Sequence, residues 1–317
     1  MAVREVVTIP DISVVIPCFN EEENAPAIAA AVIGELERAN VSFELIFIDN
    51  ASRDNTVAVI RELCRSDPRI RLIANTRNFG QMRSPTYGIF QAMGRAVIGM
   101  CADFQDPPEL LGAFIERWRR GTHIVLGVRE SEKSSLLLGW ARELSYKLAR
   151  ALGEYPIVHN ATGFGLYDRK VVDAIKAMNE PEPFFRGMLV ETGYSLETIT
   201  YVRPLRRRGK TNNNFFTLLD FALSGLASSP KTLLRLPFLI GVLCGGASLF
   251  CLLAALGALI AGSTPLAWLA AAGVEIQFAL LFLFLGVMGD QVRMVSNRTR
   301  RTPLVLERER VNFPAGE

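Results

Sequence analysis

Along the first 130 residues, short apolar runs alternate with stretches whose apolar positions recur at helical spacing. The runs are ISVVI (12–16), FELIFI (43–48), IRLIA (70–74), AVIGM (96–100) and HIVLGV (123–128). Their length and their β-branched residues predict strands. Between them the 3.6-residue pattern covers about 23–38, 54–66, 81–94 and 108–120. Strand–helix alternation of this kind predicts an α/β domain with a mostly parallel sheet and helices on both faces. Ligands of such sheets bind beyond the carboxyl ends of the strands. That rule singles out the loops PCFNEEEN, DNASRDNT, NTRNFGQ, CADFQDPPE and GVRES.

Further on, a helix is expected over about 134–152, carrying Arg142, Ser145, Tyr146, Lys147 and Arg150. NATGFGLYDRK (160–170) reads as a glycine-rich turn into another helix, followed by a short helix near 187–194 and a strand over 196–203. FFTLLDFALSGLASSPKTLLRL (215–236) has apolar residues at helical spacing and few charges. It suits an amphipathic helix lying on a membrane surface, or a core helix.

The pattern then changes. No charged residue occurs from Leu236 to Gly262, and only Glu275 from Leu266 to Gly289. Each stretch exceeds the roughly 20 residues that cross a hydrocarbon core. The link GSTP (262–265) permits only a hairpin. Two buried core helices of this length would be unusual in a soluble domain. Lys231 and Arg235 precede the first span, and Arg293, Arg298, Arg300 and Arg301 follow the second. The positive-inside bias therefore puts both termini in the cytoplasm. The expected organisation is a cytoplasmic domain (1–212), a juxtamembrane helix (213–235), a transmembrane hairpin (236–289, spans 236–262 and 266–289) and a cytoplasmic tail (290–317).

Composition agrees. The mean hydropathy of +0.22 is high for a soluble protein. The start, MAVREVVTIP, has no long apolar region, so no secretory signal is expected. Five cysteines without CxxC spacing, two of them in the first span, argue against a disulfide framework or zinc site. Two histidines are too few for a histidine-rich metal centre. The net charge is +3, but VRPLRRRGK packs five bases into nine residues. No nucleic-acid partner is expected.

Individually the loops are weak signals. Glu21 could cap a helix. Asp49, at a strand end, could accept hydrogen bonds from a base or ribose, or sit in a turn with Ser52 and Asp54. Together, VVIPCFNEEEN, IDNASRDNT about thirty residues on, NFGQ and ADFQDPPE resemble glycosyltransferase family 2, with its GT-A-type fold. DFQDPPE, TGFGLYDR and the closing hairpin resemble its polyprenyl-phosphate branch, relatives of dolichol-phosphate mannose synthase. The resemblance implies transfer of a sugar, with inversion, from a nucleotide diphosphate sugar to a polyprenyl phosphate, here expected to be undecaprenyl phosphate. It also implies a homo-oligomer, with a tetramer as the guess.

By the same resemblance, Pro17, Glu21 and Asp49 would surround the base and ribose, and Asn78 and Gly80 would lie beside the nucleotide. Asn50 stands where the pattern usually has a second acid. A divalent cation, Mg²⁺ or Mn²⁺, would stabilise the leaving diphosphate. The family's Asp-x-Asp-x-Gln appears as Cys101-Ala102-Asp103-Phe104-Gln105, so Asp103 and Gln105 match while Cys101 is a poor ligand for a hard ion. Asp106 and Glu109 either join the site or merely start a helix. A phosphate acceptor needs cations rather than a general base. Arg129, Arg142 and Ser145 are implied, with Tyr146 an alternative to the serine. In RPLRRRGKTNNN, Arg206 and Gly209 match the family's Arg-x-x-Gly-x-Ser-Lys loop, and Lys210 can stand in for its lysine. This cluster also suits acidic lipid. Glu275 suits a helix interface or a protonated carboxyl within the hairpin.

Two other functions compete. The missing first acid would suit a non-catalytic nucleotide-sugar-binding membrane protein. A processive polysaccharide synthase would be expected to carry Gln-x-x-Arg-Trp and more membrane helices, and this chain has neither.

Overall fold

The computed structural model describes residues 9–130, 158, 160–204 and 303–314, with single helical positions between 270 and 299. The chain forms two compact units. One comprises Met1–Trp140, Tyr155–Phe215 and Pro303–Glu317; the other comprises Ala141–Glu154 and Phe216–Thr302. The helix expected over 134–152, the juxtamembrane helix and nearly all of the hairpin lie outside the described residues. Among the described residues no helix is long and apolar enough to cross a membrane.

The first unit is built on one eight-stranded sheet. Its strands are β1 (Ile12–Cys18), β2 (Phe43–Asp49), β3 (Ile70–Asn75), β4 (Ala96–Gly99), β5 (Ile124–Arg129), β6 (Ala161–Asp168), β7 (Leu196–Tyr201) and β8 (Glu307–Val311), in the spatial order β7-β5-β6-β4-β1-β2-β3-β8. The helices are α1 (Ala25–Arg38), α2 (Thr56–Ser66), α3 (Gly80–Gln91), α4 (Leu111–Arg119), α5 (Arg169–Ala177) and α6 (Phe185–Glu191). β4, β1, β2 and β3 run parallel and their side chains are buried almost throughout. Alternation along the strands feeds two cores. Val14 and Ile16 pack with Ile28, Val32, Ile60 and Phe114 from α1, α2 and α4. Val15, Ile46 and Ile48 pack with Ile89, Val172 and Leu189 from α3, α5 and α6.

The sheet is mixed rather than mostly parallel. β6 runs antiparallel to both β4 and β5, β8 runs antiparallel to β3, and β7 lies parallel to β5. β6 corrects the reading of NATGFGLYDRK as a turn. Gly165 serves close approach, since a Cβ on it would lie 2.5 Å from the carbonyl oxygen of Val125 on β5, while Gly163 takes the left-handed region at φ +91°.

The opposite end of the parallel strands is tied by a buried polar latch. Glu44 pairs with Arg71 and accepts hydrogen bonds from Ser13 and the Met93 amide. Gly94 N–H donates to the Ser13 hydroxyl. These groups join the starts of β1, β2 and β3 to the turn before β4.

β8 comes from the expected tail. ERERV has too many charges to read as a core strand, and it is in fact an edge strand, where charged side chains suit the exposed ladder. Arg61 donates to both carboxylate oxygens of Glu309 (3.0 and 2.7 Å), Tyr87 donates to Glu307, and Asn312 donates to the carbonyls of Cys64 and Ile70. The Arg61 guanidinium holds the Glu309 carboxyl below its ordinary value of 4.5. A depressed folded-state pKa contributes stability above 4.5 that is lost as the pH falls through the lowered value. Glu309→Gln should therefore cost about 0.2–1 kcal/mol at neutral pH, as a partly exposed pair does. It should cost nothing once the parent is acidified below that window. Urea midpoints measured across pH 2.5 to 7 check this; an equal cost at every pH would refute it.

Candidate functional site

The carboxyl ends of the strands gather the chemistry. Two loops there are zipped together. After β1, Asn20 takes a left-handed conformation (φ 58°) and its N–H donates to the Ser52 hydroxyl, while Arg53 N–H returns a bond to Asn20 Oδ1. Glu21 N–H donates to Thr56, Glu22 N–H to Asp54, and Asn55 N–H to Glu22. Glu21 is nearly buried and accepts from Asn24 Nδ2 at 2.6 Å. Pro17 sits beside them on the last turn of β1, level with Ile48.

Asp49 ends β2 and is fully buried. Its carboxylate accepts from the Ser52 amide and hydroxyl. Burial raises its pKa, with the Ser52 bonds opposing. The turn thus absorbs Asp49, and direct contact with a ligand would require Ser52 to yield.

Asn50 explains why an amide stands beside Asp49. Its Nδ2 donates to Asn78 Oδ1 (2.9 Å) and to the Gly80 carbonyl (3.2 Å). Its Oδ1 accepts from Asn75 Nδ2 (3.2 Å) and the Phe79 amide (2.9 Å). Both donors and both lone pairs are used. A carboxylate has no hydrogen to donate and would face two acceptors. Asn50 therefore clamps the 75–80 loop and leaves Asn78 and Gly80 on the exposed rim. Gly80 has φ +87°, the left-handed region where a side chain is disfavoured.

After β4, burial alternates from residue to residue. Ala102, Phe104, Asp106 and Pro108 point inward, while Asp103 and Gln105 point to the opposite, half-exposed side and Glu109 is exposed on the single-turn helix Pro108–Leu110. Phe104 has φ 60°, at a cost of roughly 1–2 kcal/mol for an L-residue. Burying its ring to 7 % exposure offsets that with about 1.5–3 kcal/mol. The buried phenylalanine thereby presents Asp103 and Gln105 together. Asp103 Oδ1 accepts from Gln105 N–H at 3.1 Å, and the Gln105 amide oxygen accepts from Arg203.

Asp106 is 1 % exposed. Its carboxylate accepts from the Cys101 amide (2.9 Å) and the Tyr201 hydroxyl (3.0 Å), and lies 3.9 Å from the Arg129 guanidinium. The negative charge of Asp106 pushes the Cys101 thiol well above the ordinary range. Burial raises the Asp106 pKa, with these donors opposing. Burial and the Asp106 charge push Tyr201 up to about 12, so the phenol keeps its proton and donates.

The donor set suits a hard cation. Among the described residues no three His, Cys, Asp or Glu side chains cluster as a metal site. Asp103 and Gln105 offer one carboxylate and one amide oxygen, and Mg²⁺-type ions commonly take one or two carboxylates with substrate phosphates and water completing the shell. Arg203 and a cation would compete for the Gln105 oxygen. The Cys101 sulfur is a poor ligand for a hard ion.

Of the residues singled out in the sequence, Pro17, Glu21, Asp49, Asn78, Gly80, Asp103, Gln105 and Arg129 lie at this edge of the sheet. Arg142, Ser145, Arg206 and Lys210 fall outside the described residues. Sequence reasoning passed over Tyr201, although the rule of strand ends would have found it had β7 been known to run parallel to β5.

Known proteins place the chain. The family model for glycosyl transferase family 2 matches residues 13–176, more than half of it. A bactoprenol glucosyl transferase of Shigella phage SfX is 31% identical over 307 residues, covering 94% of this chain and 99% of its own. A prophage bactoprenol glucosyl transferase homolog of Escherichia coli is 35% identical over 232 residues, covering 73% of this chain and 76% of its own. Among solved structures, glucosyl-3-phosphoglycerate synthase from Mycobacterium tuberculosis, in complex with Mn²⁺, uridine diphosphate and glucosyl-3-phosphoglycerate, matches at 17% identity with a TM-score of 0.48, over 72% of this chain and 84% of its own.

The Asn50 clamp is directly testable. Asn50→Asp should destabilise the protein by about 2–3 kcal/mol, because two bonds become repulsive contacts in a buried site. Chemical denaturation measures this, and a change under 0.5 kcal/mol would refute the clamp.

Proposed function

We propose a function from one premise: the chain belongs to glycosyltransferase family 2. It is a glycosyltransferase, and in the proposed reaction it moves a monosaccharide from a nucleotide diphosphate sugar to a polyprenyl phosphate, with inversion, at the cytoplasmic face of a membrane. The observation that carries this reading is the meeting of Asp103 and Gln105 with Arg129 through Asp106. A group that can hold a diphosphate and a cation that can hold a phosphate acceptor stand on the loop after β4 and at the end of β5, the two strands that flank β6.

The chemistry follows. An oxygen of the acceptor phosphate attacks the anomeric carbon, the bond from that carbon to the diphosphate breaks, and the nucleoside diphosphate leaves with the electron pair. The acceptor is already anionic near neutral pH, so no side chain has to remove a proton. Arg129 holds it in line, where orientation lowers the barrier. Asp103 and Gln105 would hold Mg²⁺ or Mn²⁺, which supplies charge stabilisation for the departing diphosphate. The loops that end in Pro17, Glu21 and Gly80 form the rim proposed for the nucleotide.

Two observations support a membrane setting. The chain leaves the sheet unit and returns to it at β8, so any crossings in the intervening segment are even in number and the 236–289 hairpin satisfies that count. Leu281, Phe284, Met288, Val292 and Val295 are exposed and recur at helical spacing, a face suited to lipid. Relatives named bactoprenol glucosyl transferase make UDP-glucose and undecaprenyl phosphate the first pair to test.

A non-catalytic binding protein is the competing reading, motivated by Cys101. Membranes given labelled nucleotide sugar and polyprenyl phosphate should yield labelled lipid, and chelation should abolish it. Asp103→Asn should lower the rate about a hundredfold or more; full activity in that variant would remove the cation assignment. Cys101→Asp should impair the protein by setting a second carboxylate beside buried Asp106. An inert parent that gains turnover from this change would favour the binding protein instead.

A further inference from the structure

We infer that Tyr201, together with Asp106, is a positioning residue for the acceptor phosphate, acting by holding the Arg129 guanidinium in place. This rests on the proposed role of Arg129 as the acceptor's cation.

Arg129 is the last residue of β5, and its side chain is 22 % exposed. Its Nε donates to the Tyr201 hydroxyl at 3.4 Å, and a terminal nitrogen lies 3.9 Å from Asp106 Oδ1. The Tyr201 hydroxyl donates to that same oxygen at 3.0 Å. The three groups form a closed triangle across the ends of β5, β7 and the loop after β4. At 3.4 and 3.9 Å the contacts on the guanidinium are long, so they orient it without satisfying it as a bidentate carboxylate pair would.

The tyrosine is itself held rigidly. Its ring meets Phe164 edge to face, with centroids 5.7 Å apart. Gly127 on β5 makes room for it: a Cβ there would lie 3.1 Å from Tyr201 Cε1. The Tyr201 carbonyl accepts from the Glu130 amide at 2.9 Å, which locks the end of β7 to the residue after Arg129. A packed ring thus delivers a hydroxyl to a long, otherwise mobile side chain. Ordering that side chain before binding removes a cost that the acceptor would otherwise meet. Phenylalanine would keep the ring packing, so Tyr201→Phe removes only the hydroxyl's bonds to Asp106 and Arg129.

The test compares the purified full-length parent with Tyr201→Phe and Arg129→Ala. Binding of undecaprenyl phosphate in detergent and the KM for UDP-glucose are measured for each, with thermal midpoints as the control. Tyr201→Phe should weaken acceptor binding about threefold to twentyfold and leave the donor KM within twofold, with a midpoint lowered only by the loss of one donor to Asp106. Arg129→Ala should weaken acceptor binding further. If Arg129→Ala weakens the acceptor and Tyr201→Phe does not, positioning by Tyr201 is overturned while the proposed function stands. Equal loss of donor and acceptor affinity with a lowered midpoint would overturn it too, as the mark of a structural role. A parent that binds no polyprenyl phosphate overturns both the acceptor reading and this inference.

Discussion

A carboxylate withdrawn from water must be answered by donors, and in this protein the answer to Asp106 organises the site. Leaving such a group unpaired would cost several kcal/mol. Its donors come from the residue just after β4, from β7 and, more loosely, from the last residue of β5. Satisfying one buried acid therefore brings three segments of chain to one place. The loop that carries Asp103 and Gln105 is held by the same group that faces Arg129. Cys101 enters this network through its amide, which donates to Asp106.

Most of the sheet was legible in the sequence because its central strands are covered on both faces. Such strands are continuous apolar runs, and a run such as FELIFI has no competing helical reading of adequate length. The strands that escaped are the ones obeying other constraints. β6 carries Gly165 because β5 approaches too closely for a side chain and Gly163 because its φ is +91°, and a glycine-rich stretch reads as a turn. β8 is nearly all charge because it guards an edge, and ERERV reads as a solvated tail. Both run antiparallel, which is why a mostly parallel expectation became a mixed sheet.

The site was legible by position more than by partner. The rule that ligands gather at strand ends picked loops that the fold does bring to one edge of the sheet, and family resemblance named Asp103, Gln105 and Arg129 within them. Neither could tell inward from outward. Asp106 and Glu109 are three residues apart and looked equivalent, yet one is buried and the other exposed, because alternation through CADFQDPP sends every second side chain into the core. Asn50 looked like a weakened acid and is a fully bonded amide. Hydrogen-bond direction decides that case, and direction is not written in residue spacing.

The two ends of the parallel strands divide structural and chemical work. At one end Glu44 and Arg71 bury a charge pair among strand starts, where a latch can be tight because nothing has to enter. At the other, strain collects: Asn20, Ala51 and Phe104 all take left-handed conformations in loops that follow β1, β2 and β4. Conformations of that kind persist only where surrounding bonds over-determine them. Here those bonds are the Asn20–Ser52 and Arg53–Asn20 pair, the Asp49 turn and the buried Phe104 ring. The latch holds the strands in register so that the strained loops face one another, and the cost of the loops falls on a sheet whose core is already closed on both faces. A site built this way receives its ligands on pre-set backbone, and the remaining freedom lies in long side chains such as Arg129 and Arg203. In the proposed reaction Arg129 is the group that meets the acceptor phosphate.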